Sequence, residues 1–132
     1  MVSAVIVAAG RGTRMGPNVD KLFLEVGGTP IIVHTWRQFE SCPAVDEIVL
    51  VVREGMQSAF EELAAGEGFK KPYKLVPGGK ERQDSVWNGI VAVGEGTEIV
   101  AIHDGARPCV THELIAATIQ AARETGAAVA AQ

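Results

Sequence analysis

The sequence predicts an α/β fold of the Rossmann-like kind, three layers α/β/α around a mainly parallel sheet. Three observations predict it. Short apolar runs alternate along the chain with segments whose apolar residues recur at three- and four-residue spacing, the signatures of buried strands and amphipathic helices. The connections are long enough for right-handed crossovers between parallel strands. The stretches richest in glycine and charge fall where strands end, and parallel sheets bind ligands at the carboxyl ends of their strands.

Each element has its own warrant. Val2 to Ala8 is an apolar run feeding the glycine- and arginine-rich stretch Ala9 to Gly16, the order of a buried strand entering a loop. Thr29 is an expected N-cap and Pro30 the first helical residue of a helix carrying Ile32, Trp36 and Phe39 to about Ser41. Ile48 to Val52 reads as the second strand, and Met56, Phe60 and Leu63 mark the next helix. Tyr73 to Val76 is the third strand, ended by Pro77-Gly78-Gly79. Val86, Ile90 and Val93 define a third helix, and Ile99 to Ile102 a fourth strand stopped by His103-Asp104-Gly105. Thr111 caps a last helix with Leu114, Ile115, Ile119 and Ala122 inward, and Ala127 to Ala131 reads as the start of another strand.

Composition narrows the function classes. At 132 residues, with 47% hydrophobic and 21% charged, the chain suits one globular domain with one core. Its apolar runs are too short to span a bilayer, and Met1 to Ala9 lacks the pattern of a signal peptide, so a cytoplasmic protein with no membrane partner is expected. A net charge of -4 argues against a nucleic-acid partner, because no basic stripe is available to displace counterions. Cys42 and Cys109 support neither a disulfide framework nor a zinc site and are expected to be small buried side chains.

The first glycine-rich stretch, Ala8-Ala9-Gly10-Arg11-Gly12-Thr13-Arg14-Met15-Gly16 with Lys21 downstream, admits several readings. A dinucleotide fingerprint would use Gly10 and Gly12, but Met15 stands where a small third residue is needed. A Walker loop is excluded, since no Gly-Lys-Ser/Thr follows at the required spacing. Nucleotidyl transfer needs backbone N–H groups for phosphates and cations for the charge that grows at the α-phosphate, and the glycines with Arg14, Lys21 and Arg11 supply these types. A glycine turn with solvated arginines is the structural alternative.

In the second stretch, Gly78-Gly79-Lys80-Glu81-Arg82-Gln83-Asp84-Ser85, a glycine pair opens a helix whose N-terminus attracts polar ligands, and Arg82 and Ser85 share one face of its first turn. In the third, His103-Asp104-Gly105-Ala106-Arg107-Pro108, an acidic residue at a strand end requires a partner: a metal, a sugar hydroxyl or Arg107. Magnesium held by one carboxylate and substrate phosphates is the usual arrangement for triphosphates. His103 reads as a packed or hydrogen-bonded strand residue rather than a base, and His34 and His112 have no metal-ligand spacing.

Together the three stretches resemble the 2-C-methyl-D-erythritol 4-phosphate cytidylyltransferase family, over essentially the whole chain from Val5 to Gln132. The first is shared by many nucleotidyltransferases; Gly-Gly-x-x-Arg-x-x-Ser-Val and His-Asp-Gly-Ala-Arg-Pro are much narrower. The resemblance implies a fold of the nucleotide-diphospho-sugar-transferase type, in a single nucleotidyltransferase domain over residues 1–132 that stops short of the family's C-terminal part. It also implies CMP transfer from CTP to a polyol phosphate, 2-C-methyl-D-erythritol 4-phosphate, with pyrophosphate released, magnesium required and a homodimeric complete chain.

By the same resemblance Arg14 and Lys21 stabilise the α-phosphate in flight, and the backbone of Ala8, Ala9, Gly10, Arg11 and Gly12 wraps base and triphosphate. Ser85 reads the cytosine edge, Gly79 and Arg82 build that pocket, and Asp104 sits near ribose and metal. Asp20 stands where the family often has proline before the lysine. Family members continue past this end with a β-arm that helps build the dimer and the acceptor site, so residues 1–132 alone are expected to bind CTP weakly without turnover. A ribitol 5-phosphate cytidylyltransferase and a non-catalytic CTP-binding module are the alternatives. A nicotinamide-cofactor domain is disfavoured by Met15 and by the absence of an acidic residue well placed after the second strand.

Overall fold

A computed structural model of the chain describes residues 1–9 and 21–126. Four parallel strands, β1 (Val2–Ala8), β4 (Glu47–Val52), β5 (Tyr73–Pro77) and β6 (Ile99–Asp104), form one sheet in the order β5-β4-β1-β6. A two-stranded ribbon, β2 (Glu25–Val26) with β3 (Thr29–Pro30), stands apart from it. The helices are α1 (Ile31–Glu40), α2 (Gln57–Glu67), α3 (Arg82–Ala92) and α4 (His112–Thr125).

Strands buried on both faces read as unbroken apolar runs, and β1 and β4 are buried along their whole length. Side chains alternate between two cores. Ala4, Ile6, Ala8, Ile48, Leu50 and Val52 face Trp36 and Phe39 of α1, Phe60 of α2 and Ile115 and Ile119 of α4, whereas Val5, Val7, Val49 and Val51 lie beneath α3. Helices therefore cover both faces, as the alternating pattern requires. Thr111 caps α4 as expected, accepting a hydrogen bond from the Leu114 N–H at 3.1 Å.

Three expectations are corrected. Pro30 is the N-cap of α1, with extended backbone and no side-chain cap, because Thr29 is committed to the ribbon with Val26. Gly27 and Gly28, both at positive φ (64° and 81°), close that ribbon as a type I′ turn, which only glycine adopts freely. His103 and Asp104 belong to β6 rather than to the loop after it: the ladder with β1 runs on to the pair Val7–Asp104, and the Gly105 N–H still reaches the Val7 carbonyl at 2.9 Å. Cys42 is buried, but Cys109 is exposed, on the segment between β6 and α4, because burial there depends on tertiary neighbours rather than on the residue's own apolarity. The strand expected at Ala127 to Ala131 lies outside the described residues.

Candidate functional site

The carboxyl ends of all four sheet strands open on one cleft of about 510 Å³. β1 contributes Ala9, β5 the pair Gly78-Gly79, α3 its first turn with Arg82 and Ser85, and β6 Asp104. The three stretches singled out in the sequence thus converge from positions 9, 78–85 and 104. A larger groove, about 1010 Å³, runs along β6 and α4, but its walls are mostly apolar strand and helix side chains. Arg82 and Asp104 border both spaces. Of these two spaces, the strand-end cleft is the one that joins glycine turns, a helix start and charged groups, a combination suited to a polar ligand.

Glycine at 78 and 79 is required by close approach. A Cβ on Gly78 would lie 2.3 Å from the Ala9 Cβ and 3.1 Å from the Ser85 Oγ; one on Gly79 would lie 2.3 Å from the Asp84 Cβ. The pair lets the end of β1 and the start of α3 meet across the cleft floor. Ser85 is 4% exposed, and its hydroxyl accepts the Gly79 N–H at 3.0 Å, which leaves the hydroxyl proton free to donate.

The start of α3 closes on itself. Glu81 and Asp84 form a capping box, the Asp84 carboxylate accepting the Glu81 N–H at 3.0 Å and Glu81 accepting from the N3 backbone. Two carboxylates therefore already occupy part of this helix N-terminus, which makes it a poor seat for a polyphosphate and a better one for a neutral polar group. That sharpens the expectation drawn from the helix dipole alone.

Asp104 ends β6. Its Oδ1 accepts the Ala106 N–H at 3.0 Å, and its carbonyl accepts the Arg107 N–H at 3.1 Å, so the turn after the strand is fixed around this residue. His103 is packed and bonded, as read from sequence: its Nε2 is 2.9 Å from the Arg107 carbonyl and its ring lies 5.2 Å from that of Phe39. His34 and His112 are likewise used in the fold, at 2.9 Å from the Val26 carbonyl and 2.8 Å from the Ser41 Oγ.

Of the remaining expected site residues, Ala8 faces the α1 core rather than the cleft, so only its backbone is available to a ligand. Lys21 opens a short 3₁₀ turn, Lys21–Phe23. Gly10, Arg11, Gly12 and Arg14 lie outside the described residues. Sequence reading passed over Arg53 and Glu54, which follow β4 and line the cleft. Their signal was positional: in a parallel sheet every residue just past a strand's carboxyl end is a candidate, whether or not it sits in a conspicuous motif.

Among the described residues no group of three or more histidine, cysteine, aspartate or glutamate side chains could hold a metal by itself. Asp104 offers one hard oxygen donor set at the cleft, which fits a cation whose other ligands come from a bound phosphate and water. No helix among the described residues is long and apolar enough to cross a membrane.

Comparison with known proteins adds an independent line. The family model described as 2-C-methyl-D-erythritol 4-phosphate cytidylyltransferase matches residues 2–132. A protein of that name from Bacillus licheniformis is 46% identical over 127 residues, covering 96% of this chain and 54% of the relative. One from Alkaliphilus oremlandii is 43% identical over 130 residues, covering 98% and 55%. The crystal structure of 4-diphosphocytidyl-2C-methyl-D-erythritol synthase from Anaerococcus prevotii superposes with a TM-score of 0.80 at 32% identity, covering 93% of this chain and 51% of that one. The chain spans about half the length of the curated relatives it matches.

Proposed function

The chain belongs to the 2-C-methyl-D-erythritol 4-phosphate cytidylyltransferase family, and we propose that it supplies the CTP-binding part of an enzyme that transfers CMP from CTP to 2-C-methyl-D-erythritol 4-phosphate in isoprenoid biosynthesis. The observation that carries this reading is the convergence of Ala9, Gly78-Gly79, Arg82, Ser85 and Asp104 on one cleft at the strand ends.

The chemistry divides between the two sides of the cleft. At the start of α3, the Ser85 hydroxyl and the backbone beside Gly79 offer a small polar edge suited to a pyrimidine that bears an amino group. The capping box disfavours phosphate on that side, so the triphosphate runs toward the glycine- and arginine-rich stretch that follows β1 in the sequence. There Arg14 and Lys21 neutralise charge as an oxygen of the acceptor phosphate attacks the α-phosphorus. The bond to the pyrophosphate oxygen breaks, and pyrophosphate leaves with the electron pair. No covalent bond to the protein forms.

Asp104, beside the ribose, would hold the magnesium ion, which when bound neutralises phosphate oxygens. The reading carries with it a single nucleotidyltransferase domain, a polyol phosphate acceptor, a cytoplasmic place of action and a homodimeric full-length chain. Pyrophosphate release by the full-length protein, measured with CTP and either 2-C-methyl-D-erythritol 4-phosphate or ribitol 5-phosphate, tests it. Turnover with the first acceptor and little with the second is expected; the reverse order, or equal turnover with ATP in place of CTP, overturns it.

A further inference from the structure

The Asp104 carboxylate is held through a chain of contacts that begins on another element. Thr35 lies on α1 and is completely buried, on a helix face whose other inward residues, Ile32, Val33, Trp36 and Phe39, are apolar. Its Oγ1 donates to the Gly105 carbonyl at 2.8 Å. The Ile31 carbonyl of its own helix lies farther, at 3.4 Å, and a hydroxyl has one hydrogen to give.

The Gly105 carbonyl and the Ala106 N–H belong to the same peptide unit, and that N–H donates to the Asp104 Oδ1 at 3.0 Å. A peptide unit is planar, so the bond that fixes its carbonyl also fixes the direction of its N–H. The Gly105 N–H, bonded to the Val7 carbonyl at 2.9 Å, anchors the preceding peptide to β1. The residue has little room to move: a Cβ on Gly105 would lie 3.0 Å from the Ile32 Cδ1 and 3.2 Å from the Val7 carbonyl oxygen.

A hydroxyl buried on an apolar face costs stability unless it is bonded, and valine would fill the same volume without that cost. What threonine supplies and valine does not is the donor to Gly105. We infer that Thr35 is a positioning residue of the nucleotide site: its hydroxyl sets the Gly105–Ala106 peptide plane, and that plane aims the Asp104 carboxylate into the cleft. The functional half of this inference rests on Asp104 belonging to the nucleotide site; the geometric half does not.

Two measurements on the full-length protein separate the halves. Amide hydrogen exchange at Ala106 should quicken about tenfold in Thr35→Val, with β4 amides unchanged, and stay near wild type in Thr35→Ser. Thr35→Ala gives the same shift should valine disturb α1. Affinity for CTP with magnesium, read by calorimetry, should fall about five- to tenfold in Thr35→Val, recover in Thr35→Ser, and fall no further when Asp104→Ala is already present. Unchanged Ala106 exchange overturns the inference, as does a Thr35→Val loss of affinity that persists in full on the Asp104→Ala background. If Asp104→Ala alone leaves affinity intact, the nucleotide-site reading of Asp104 falls, and Ala106 exchange still decides the role of Thr35.

Discussion

The two ends of the sheet each carry a carboxylate at a strand terminus, and they treat it in opposite ways. At the amino end Glu47, which starts β4, is 8% exposed and enclosed by partners from the chain itself. Its Oε1 accepts from the Ser3 hydroxyl at 3.1 Å and the Gly94 N–H at 2.8 Å, and the Lys74 ammonium stands 3.7 Å from its Oε2. Thr97 completes the network, its hydroxyl 2.9 Å from that of Ser3 and donating to the Gly94 carbonyl. At the carboxyl end Asp104 is fixed on one oxygen and borders open space. A carboxylate satisfied within the fold cross-links the fold; one held at the rim of a cleft is oriented toward something outside it. Changes at the open end should therefore alter ligand chemistry, and changes at the closed end should alter stability.

The sharpest test removes a cation from the sequence that follows β1. Arg14→Ala or Lys21→Ala should lower kcat of the full-length enzyme by about a hundredfold or more, with an unchanged unfolding midpoint in urea. Equal turnover in both variants would break the assignment of phosphate chemistry to this end. Next in size, Glu47→Ala at the closed end strands the Gly94 N–H, leaves the Ser3 hydroxyl with Thr97 alone and the Lys74 ammonium with only the Ala92 carbonyl. Chemical denaturation should show a loss of about 2–3 kcal/mol, while affinity for CTP with magnesium stays as it was. A drop in that affinity without a change in stability would erase the distinction between the ends.

Gly78→Ala sits on the boundary, because its added methyl collides with Ala9 where β1 enters the cleft. It should cost about 1–3 kcal/mol and also weaken CTP binding, an effect on both readouts that neither end alone produces. The smallest effect is expected far from either end, at the exposed Arg37–Glu67 pair that joins α1 to α2. The hydrogen bond from Arg37 holds the Glu67 carboxyl below its ordinary value. A lowered carboxyl contributes its stability above the unfolded-state value and loses it as the pH falls through the folded one. Because both groups meet water, Glu67→Gln should change stability by no more than about 0.5 kcal/mol, and that small difference should vanish in acid.

The elements that the sequence made legible are those decided by local pattern. β1 and β4 announce themselves because burial on both faces demands unbroken apolar runs, and α4 because Thr111 and its apolar stripe obey helix periodicity. The ribbon of β2 and β3 was missed: each strand is two residues long, too short for any period, and only the paired glycines at 27 and 28 hint at it. Cys109 was misjudged because a small side chain carries no local sign of which neighbour covers it.

What the sequence by itself determined is the inventory: an alternating α/β order, a set of glycine and charge clusters at strand ends, and the family to which they belong. The tertiary structure decided which of those groups share a space. Strand order brings the end of β1 beside Asp104 because β6 pairs with β1, and Gly78, bonded to the Val52 carbonyl at the end of β4, reaches across that strand to Ala9, adjacencies set by long-range pairing that no local window contains. It also decided the role of Thr35, whose one informative contact crosses 70 residues to a peptide carbonyl. A backbone group carries no residue type, so nothing in the letters at positions 105 and 106 could reveal that a threonine on α1 holds the plane between them.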